Sequence, residues 1–301
     1  MTALVAQPEA LAPAMPPVRQ LRSIMWRKFL RNRAAVAGAL LLAAIAVAAL
    51  VGPLALPFHY AAGDLREQFQ PPSLRHWLGT DEFGRDQMTR ILYGLRISLV
   101  VGLFAAAINM IVGSIYGGVS GYFGGRIDDL MMRIVEVFYG IPLLLIVMLL
   151  MAVLPRGLNS GLQNVFLAIG FVYWLGMARI VRGQVLSLRQ QDYVGAARAL
   201  GASPRRIIGR HLLPNALGVI IVTGTLRIPE AIFIEAFLSF VGLGIAEPRP
   251  SLGSLVAASL GNLEAQPWLL FGPALAISLL MLGFNFLGDG LRDAFDPQMT
   301  R

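Results

Sequence analysis

Long charge-free apolar runs alternate with short charged clusters along this chain. The first run, residues 34–56, is longer than the apolar core of a cleaved signal, so it is expected to stay in the mature protein as a membrane span. Further charge-free runs lie between Arg96 and Arg126, Glu136 and Arg156, Arg156 and Arg179, and Glu264 and Asp289. Each holds a helix of about 20 residues, the length a bilayer core requires. A sixth apolar segment, Leu212 to Leu243, is interrupted by Arg227, Glu230 and Glu235. The pattern predicts an all-α membrane protein with six transmembrane helices. Its expected parts are a tail and basic segment at 1–33, a first span at 34–56, an external loop at 57–96, and a core at 97–288 with five spans and a cytoplasmic loop at 182–214. A cytoplasmic end follows at 289–301. The fourth span is expected to be short or to lie within protein, because Asn159, Ser160, Gln163 and Asn164 leave only Val165 to Ala178 as a solid apolar block. The first 20 residues, rich in Ala and Pro, read as a mobile tail ahead of a basic run from Arg22 to Arg33.

Composition agrees with a membrane protein: 56% of residues are hydrophobic and 14% charged, against roughly a quarter charged in soluble domains. The net charge of +8 would suggest nucleic acid in a soluble chain, but here its placement matters more than its size. With the N-terminus inside, seventeen Arg and Lys fall on inside segments against seven outside, which supports an N-in, C-in topology and argues for no nucleic-acid partner. There is no Cys, and His59, His76 and His211 are too scattered for a metal cluster. Lys28 is the only lysine, and the sequence around it has no Gly-x-x-x-x-Gly-Lys-Ser/Thr, so nucleotide chemistry must come from a partner. Catalytic residues are not expected: no triad is in view, and Asp128 and Asp129 read as caps of the following helix.

Within the spans, Gly113, Gly117 and Gly121 recur every four residues and present one smooth helix face to another helix, with Gly125 continuing the spacing. Arg227 lies about 18 Å along a helix from Asn215, well inside the hydrocarbon, where it needs a partner. Glu230, three residues on, is at the right spacing, although Pro229 between them bends the geometry. A structural ion pair, a contact with a partner protein and a place along a substrate path all remain open for the two. Glu235 is expected near the outer end.

The basic segment "DYVGAARALGASPRRIIGRHLLPN", Asp192 to Asn215, reads as two short helices. Asp192 is a suitable N-cap, Gly201 a terminator, and Ser203 with Pro204 a cap followed by proline at the first helical position. The second helix should end near Pro214, where the next span begins. Val194, Ala196, Ala197, Ala199 and Leu200 give the first helix a small, mildly apolar surface suited to a groove on a partner, with Arg198, Arg205 and Arg206 at the rim. An ordinary basic loop on anionic headgroups is the competing reading.

The stretch "GAARALGASPRRIIGRHLLP" resembles the cytoplasmic EAA motif of ABC importer permeases, matching at Ala196, Ala197, Gly201, Leu213 and Pro214, with Gly195 at the glutamate position and His211 at the isoleucine position. "LGTDEFGRDQMTRILYGLRISLVVG", "EAFLSFVGLGIAEPRPSLG" and "FNFLGDGLRDAFDPQ" are similar to the C-type permease of oligopeptide, dipeptide and nickel importers, so the likeness covers roughly residues 22–298. That resemblance implies a type I importer permease fold in a prokaryotic cytoplasmic membrane. It also implies a homologous second permease, two cytoplasmic ATPases that hold ATP and magnesium and dock on the loop, and an extracytoplasmic substrate-binding protein. No cofactor is implied for this chain itself. The implied cargo is a peptide, with nickel, glutathione or a glycoside as alternatives. In the usual motif the glutamate stands three residues after the Asp192 cap and completes a capping box, which Gly195 cannot do. A gradient-driven secondary transporter is a weaker reading, since the sequence announces no paired broken helices apart from the region of Arg227 and Glu230.

Overall fold

The computed structural model describes residues 26–155 and 161–295; the expected tail, Asn159, Ser160 and the last six residues lie outside them. The described residues form helices and loops, with one isolated bridge between Thr80 and Asp86. Among the described residues five helices or helix runs are long and apolar enough to cross a membrane, or six with the bent pair counted as one span.

Helix α1, Arg33–Ala55, starts where the Asn32 side chain accepts the Ala35 N–H. It lies along the last helix, and the approach is close because a Cβ on Gly38 would come within 2.7 Å of Phe286 Cβ. Helix α2, Gln87–Phe123, is capped by Asp86, whose carboxylate accepts the Thr89 N–H. At 37 residues it is about 55 Å long, well beyond a core of about 30 Å. The external loop expected to run to residue 96 therefore closes at Asp86, and its last ten residues are the helical turns of α2 that extend past the apolar run.

The third span is the bent one. Helix α3, Gly125–Tyr139, and helix α4, Leu143–Val153, meet at 80° across Gly140 to Pro142, because Pro142 has no N–H to continue the ladder. Asp128 does not cap α3 as expected: the N-cap is Gly124, and the Asp128 carboxylate takes both Arg182 Nε and Nη2 at 2.6 Å and the Ser120 hydroxyl.

Helix α5, Leu162–Leu188, corrects the expectation of a short fourth span, since it has 27 residues. The other half of that expectation stands: it is the span most enclosed by the rest of the chain. Its long seam with α2 is where the glycine face packs. A Cβ on Gly113, Gly117 or Gly121 would lie 2.5 Å from Met177 Cβ, 2.3 Å from the Ala178 carbonyl or 2.8 Å from the Arg182 carbonyl. Gly125 takes no part, with open space around it.

After helix α6, Asp192–Ala199, the chain turns at Gly201, whose φ of +77° is left-handed, and enters helix α7, Pro204–Ile207. A π-turn over Ile208–Leu212 then joins α7 to helix α8, Leu213–Leu226. The expected stop near Pro214 is absent: the π-turn shifts the bonding, the Leu213 N–H donating to the Ile208 carbonyl five residues back, so the helix passes a proline that has no N–H to give, and loop and span become one helical run. That run is interrupted at Arg227, the C-cap of α8 and the N-cap of helix α9, Ile228–Phe240, where Pro229 sits in the first turn. Helix α10, Leu252–Leu260, and helix α11, Trp268–Phe295, complete the chain.

Candidate functional site

At the end of the bundle that the positive-inside rule assigns to the cytoplasm, α6 and α7 form a foot. It is held from one side only. Val194, Ile207, Ile208 and Leu212 are buried against Val181 and Val185 of α5, with Tyr122 of α2 and Ala197 at the edge. The opposite side is bare: Tyr193, Gly195, Ala196, Arg205 and Arg206 are exposed, and Leu200 at the tip is 89% exposed.

Three expectations for this segment change. Asp192 is the first helical residue rather than the cap; Gln191 is extended and its carbonyl accepts the Gly195 N–H. A glutamate in place of Gly195 would thus be one residue too late for the capping box. Ser203 is the cap of α7 and Pro204 follows as expected, but the serine side chain makes no capping bond. Arg198 is not a free rim charge, for its guanidinium lies 5.1 Å from the centre of the Tyr122 ring.

Halfway through the bundle, the bend at Gly140 to Pro142 and the one-residue interruption at Arg227 face the middle of α5. Between them is a cavity of about 260 Å³ whose lining includes Tyr139, Pro142, Tyr173, Gly176, Arg227 and Glu230. Arg227 Nη1 donates to Glu230 Oε2 at 2.5 Å, and each side chain is 39% exposed. The ion pair expected from spacing is formed, yet it is not buried. Two breaks at one depth are also more than the sequence announced.

Residues 98–301 match the family model described as binding-protein-dependent transport system inner membrane component. The chain belongs to that family. Residues 20–72 of the permease also match the N-terminal TM domain of oligopeptide transport permease C. It is 50% identical over 277 residues to the dipeptide transport system permease protein DppC of Bacillus subtilis (strain 168), covering 92% of this chain and 85% of that protein. To the oligopeptide transport system permease protein OppC of Escherichia coli (strain K12) it is 44% identical over 274 residues, 90% of this chain and 89% of the relative. Among solved structures, an inward-facing MetNI methionine ABC transporter chain superposes with a TM-score of 0.56 at 21% identity, over 69% of this chain and 97% of that one. The shared fold is thus the ABC importer permease fold.

The permease also carries polar groups that sequence reading missed. Within 57–96, His76 is buried with Nδ1 2.9 Å from Asp86 Oδ1. Asp81 holds Arg85 at 2.7 Å, and Glu247, more than 150 residues along the chain, receives Arg85 at 2.5 Å and Arg90 at 2.8 Å. Residues 57–96 hold five Arg and five acids, enough for local pairing, but nothing in that segment points to Glu247. Glu235 is completely buried, accepting the Ser98 and Ser239 hydroxyls at 3.0 Å each. Two serines so far apart in the chain carry no sequence signal of their own.

Proposed function

We propose that this permease forms half of the translocation path of an ATP-driven importer of oligopeptides or dipeptides in a bacterial cytoplasmic membrane. Its partners are a homologous second permease, two cytoplasmic ATPases carrying ATP and magnesium, and an external binding protein that delivers the peptide. The observation that carries the reading is the foot: braced on one side, bare on the other, and continuous through α7, the π-turn and α8 with the break at Arg227. An ATPase that grips Leu200 and its neighbours therefore pulls directly on a membrane helix, and the break at Arg227 absorbs the motion. The peptide cargo is supported by the names of the relatives, whose identity extends along nearly the whole chain.

The test is reconstitution. Proteoliposomes holding the four-subunit complex, with the binding protein outside, should accumulate labelled tri-alanine only when ATP is enclosed with the ATPases. The purified lone chain should hydrolyse no ATP. Uptake driven by a proton or sodium gradient without ATP would sink the proposal.

A further inference from the structure

The mid-membrane cavity has features that a structural ion pair does not need. An Arg–Glu pair that only relieves intramembrane charge is best enclosed, with its remaining hydrogen-bonding groups satisfied. Here both side chains are 39% exposed and both line the cavity, and the guanidinium places one N–H on Glu230. Tyr173, only 5% exposed, is part of the wall of the same cavity, and its buried hydroxyl has no hydrogen-bond partner, an arrangement uncommon for a buried polar group. Gly176 keeps the space open: a Cβ there would stand 3.1 Å from the Tyr139 hydroxyl and 3.4 Å from Arg227 Nη2. Non-helical backbone at membrane depth is tolerated where it lines a cavity, and the bend at Gly140 to Pro142 and the one-residue interruption at Arg227 both do so here.

Resting on the importer reading, we propose that this cavity is a transit subsite for the main chain of a peptide. Arg227 donates to a peptide carbonyl, Glu230 accepts a peptide N–H, and the Tyr173 hydroxyl pairs with the adjacent amide. The pair has no net charge, so it suits the dipole of an amide rather than an ion and does not read side chains. About 260 Å³ is the share of roughly nine waters, room for one or two residues and not for a whole oligopeptide. Such a site holds the chain in passing and has no need of high affinity.

The experiment uses the complete complex in proteoliposomes, with binding protein and labelled tri-alanine. Tyr173→Phe removes only the hydroxyl, and Glu230→Gln keeps its size. Each should assemble and hydrolyse ATP at the wild-type rate. Uptake per assembled complex should fall about three- to tenfold, the scale of one hydrogen bond, with the half-saturating peptide concentration unchanged because the binding protein sets it. A photo-crosslinking residue at Leu143, also in the lining, should capture the peptide only during ATP-driven turnover. The inference is overturned if both variants import at the wild-type rate and Leu143 captures nothing. It is equally overturned if the variants lose assembly while uptake per assembled complex is unaltered, which would mark a contact with the second permease. If the wild-type complex imports no peptide, the importer reading fails and takes this inference with it; normal wild-type uptake beside unaffected variants removes the inference alone.

Discussion

A methyl group at residue 117 would stand 2.3 Å from the Ala178 carbonyl and 2.9 Å from the Arg182 nitrogen, distances that Cβ atoms do not adopt. Neither neighbour is a side chain that can swing away. Gly117→Ala must therefore push α2 off α5, at a cost of about 1–3 kcal/mol on the scale of overpacked cores, and a thermal melt of the purified permease should show the loss. Gly195 offers the opposite case. It has an ordinary φ and nothing within 4 Å of the place a Cβ would take, so Gly195→Glu should leave both melt and uptake unchanged. The sequence separates the two only in part. Four-residue spacing marks Gly113, Gly117 and Gly121 as one face, whereas Gly38, equally tight against α11, stands alone and carries no such mark.

Whether a helix transmits force depends on where it is held and where it yields. The foot is held by Val194, Ile207 and Leu212, turns at Gly201, and runs on without a gap into α8. Leu200 at its tip is the most exposed apolar side chain there, and burying a leucine is worth about 1.5–3 kcal/mol. Leu200→Asp should therefore weaken ATPase binding about ten- to hundredfold, with membrane insertion intact, as read by co-purification of the ATPases. Normal recovery of the ATPases would refute the docking surface. Caps and prolines made the two short helices legible in advance. The π-turn was not legible, because proline is read as a stop unless the preceding turn widens, and only tertiary contact decides that. The 80° bend at Gly140 to Pro142 was hidden for a related reason: hydropathy counts charges along a run but gives no direction to it.

At the scale of the molecule, residues 204–251 form a continuous line from one membrane face to the other. The foot leads through α8 to the break at Arg227, then through α9 to the buried Glu235, and on to the loop where Glu247 grips the external segment. The spans were readable from apolar runs, since hydropathy is a local sum. This line was not, because its outer end is a contact between Glu247 and arginines 157 and 162 residues away. Arg90 is buried, and without Glu247 it retains the Tyr60 carbonyl at 3.2 Å and Asp81 at 3.5 Å. Because the Glu247 side chain is itself half-exposed, its removal should cost only about 1 kcal/mol rather than the several expected for a fully buried pair. Glu247→Ala should therefore leave the complex assembled but loosen the external segment from the loop beyond α9. In right-side-out vesicles, trypsin should then cut at the exposed Arg75 several times faster than in the wild type. An unchanged cutting rate would mean that the external segment is held by its own packing around His76 and Asp86, and that Glu247 is not its latch.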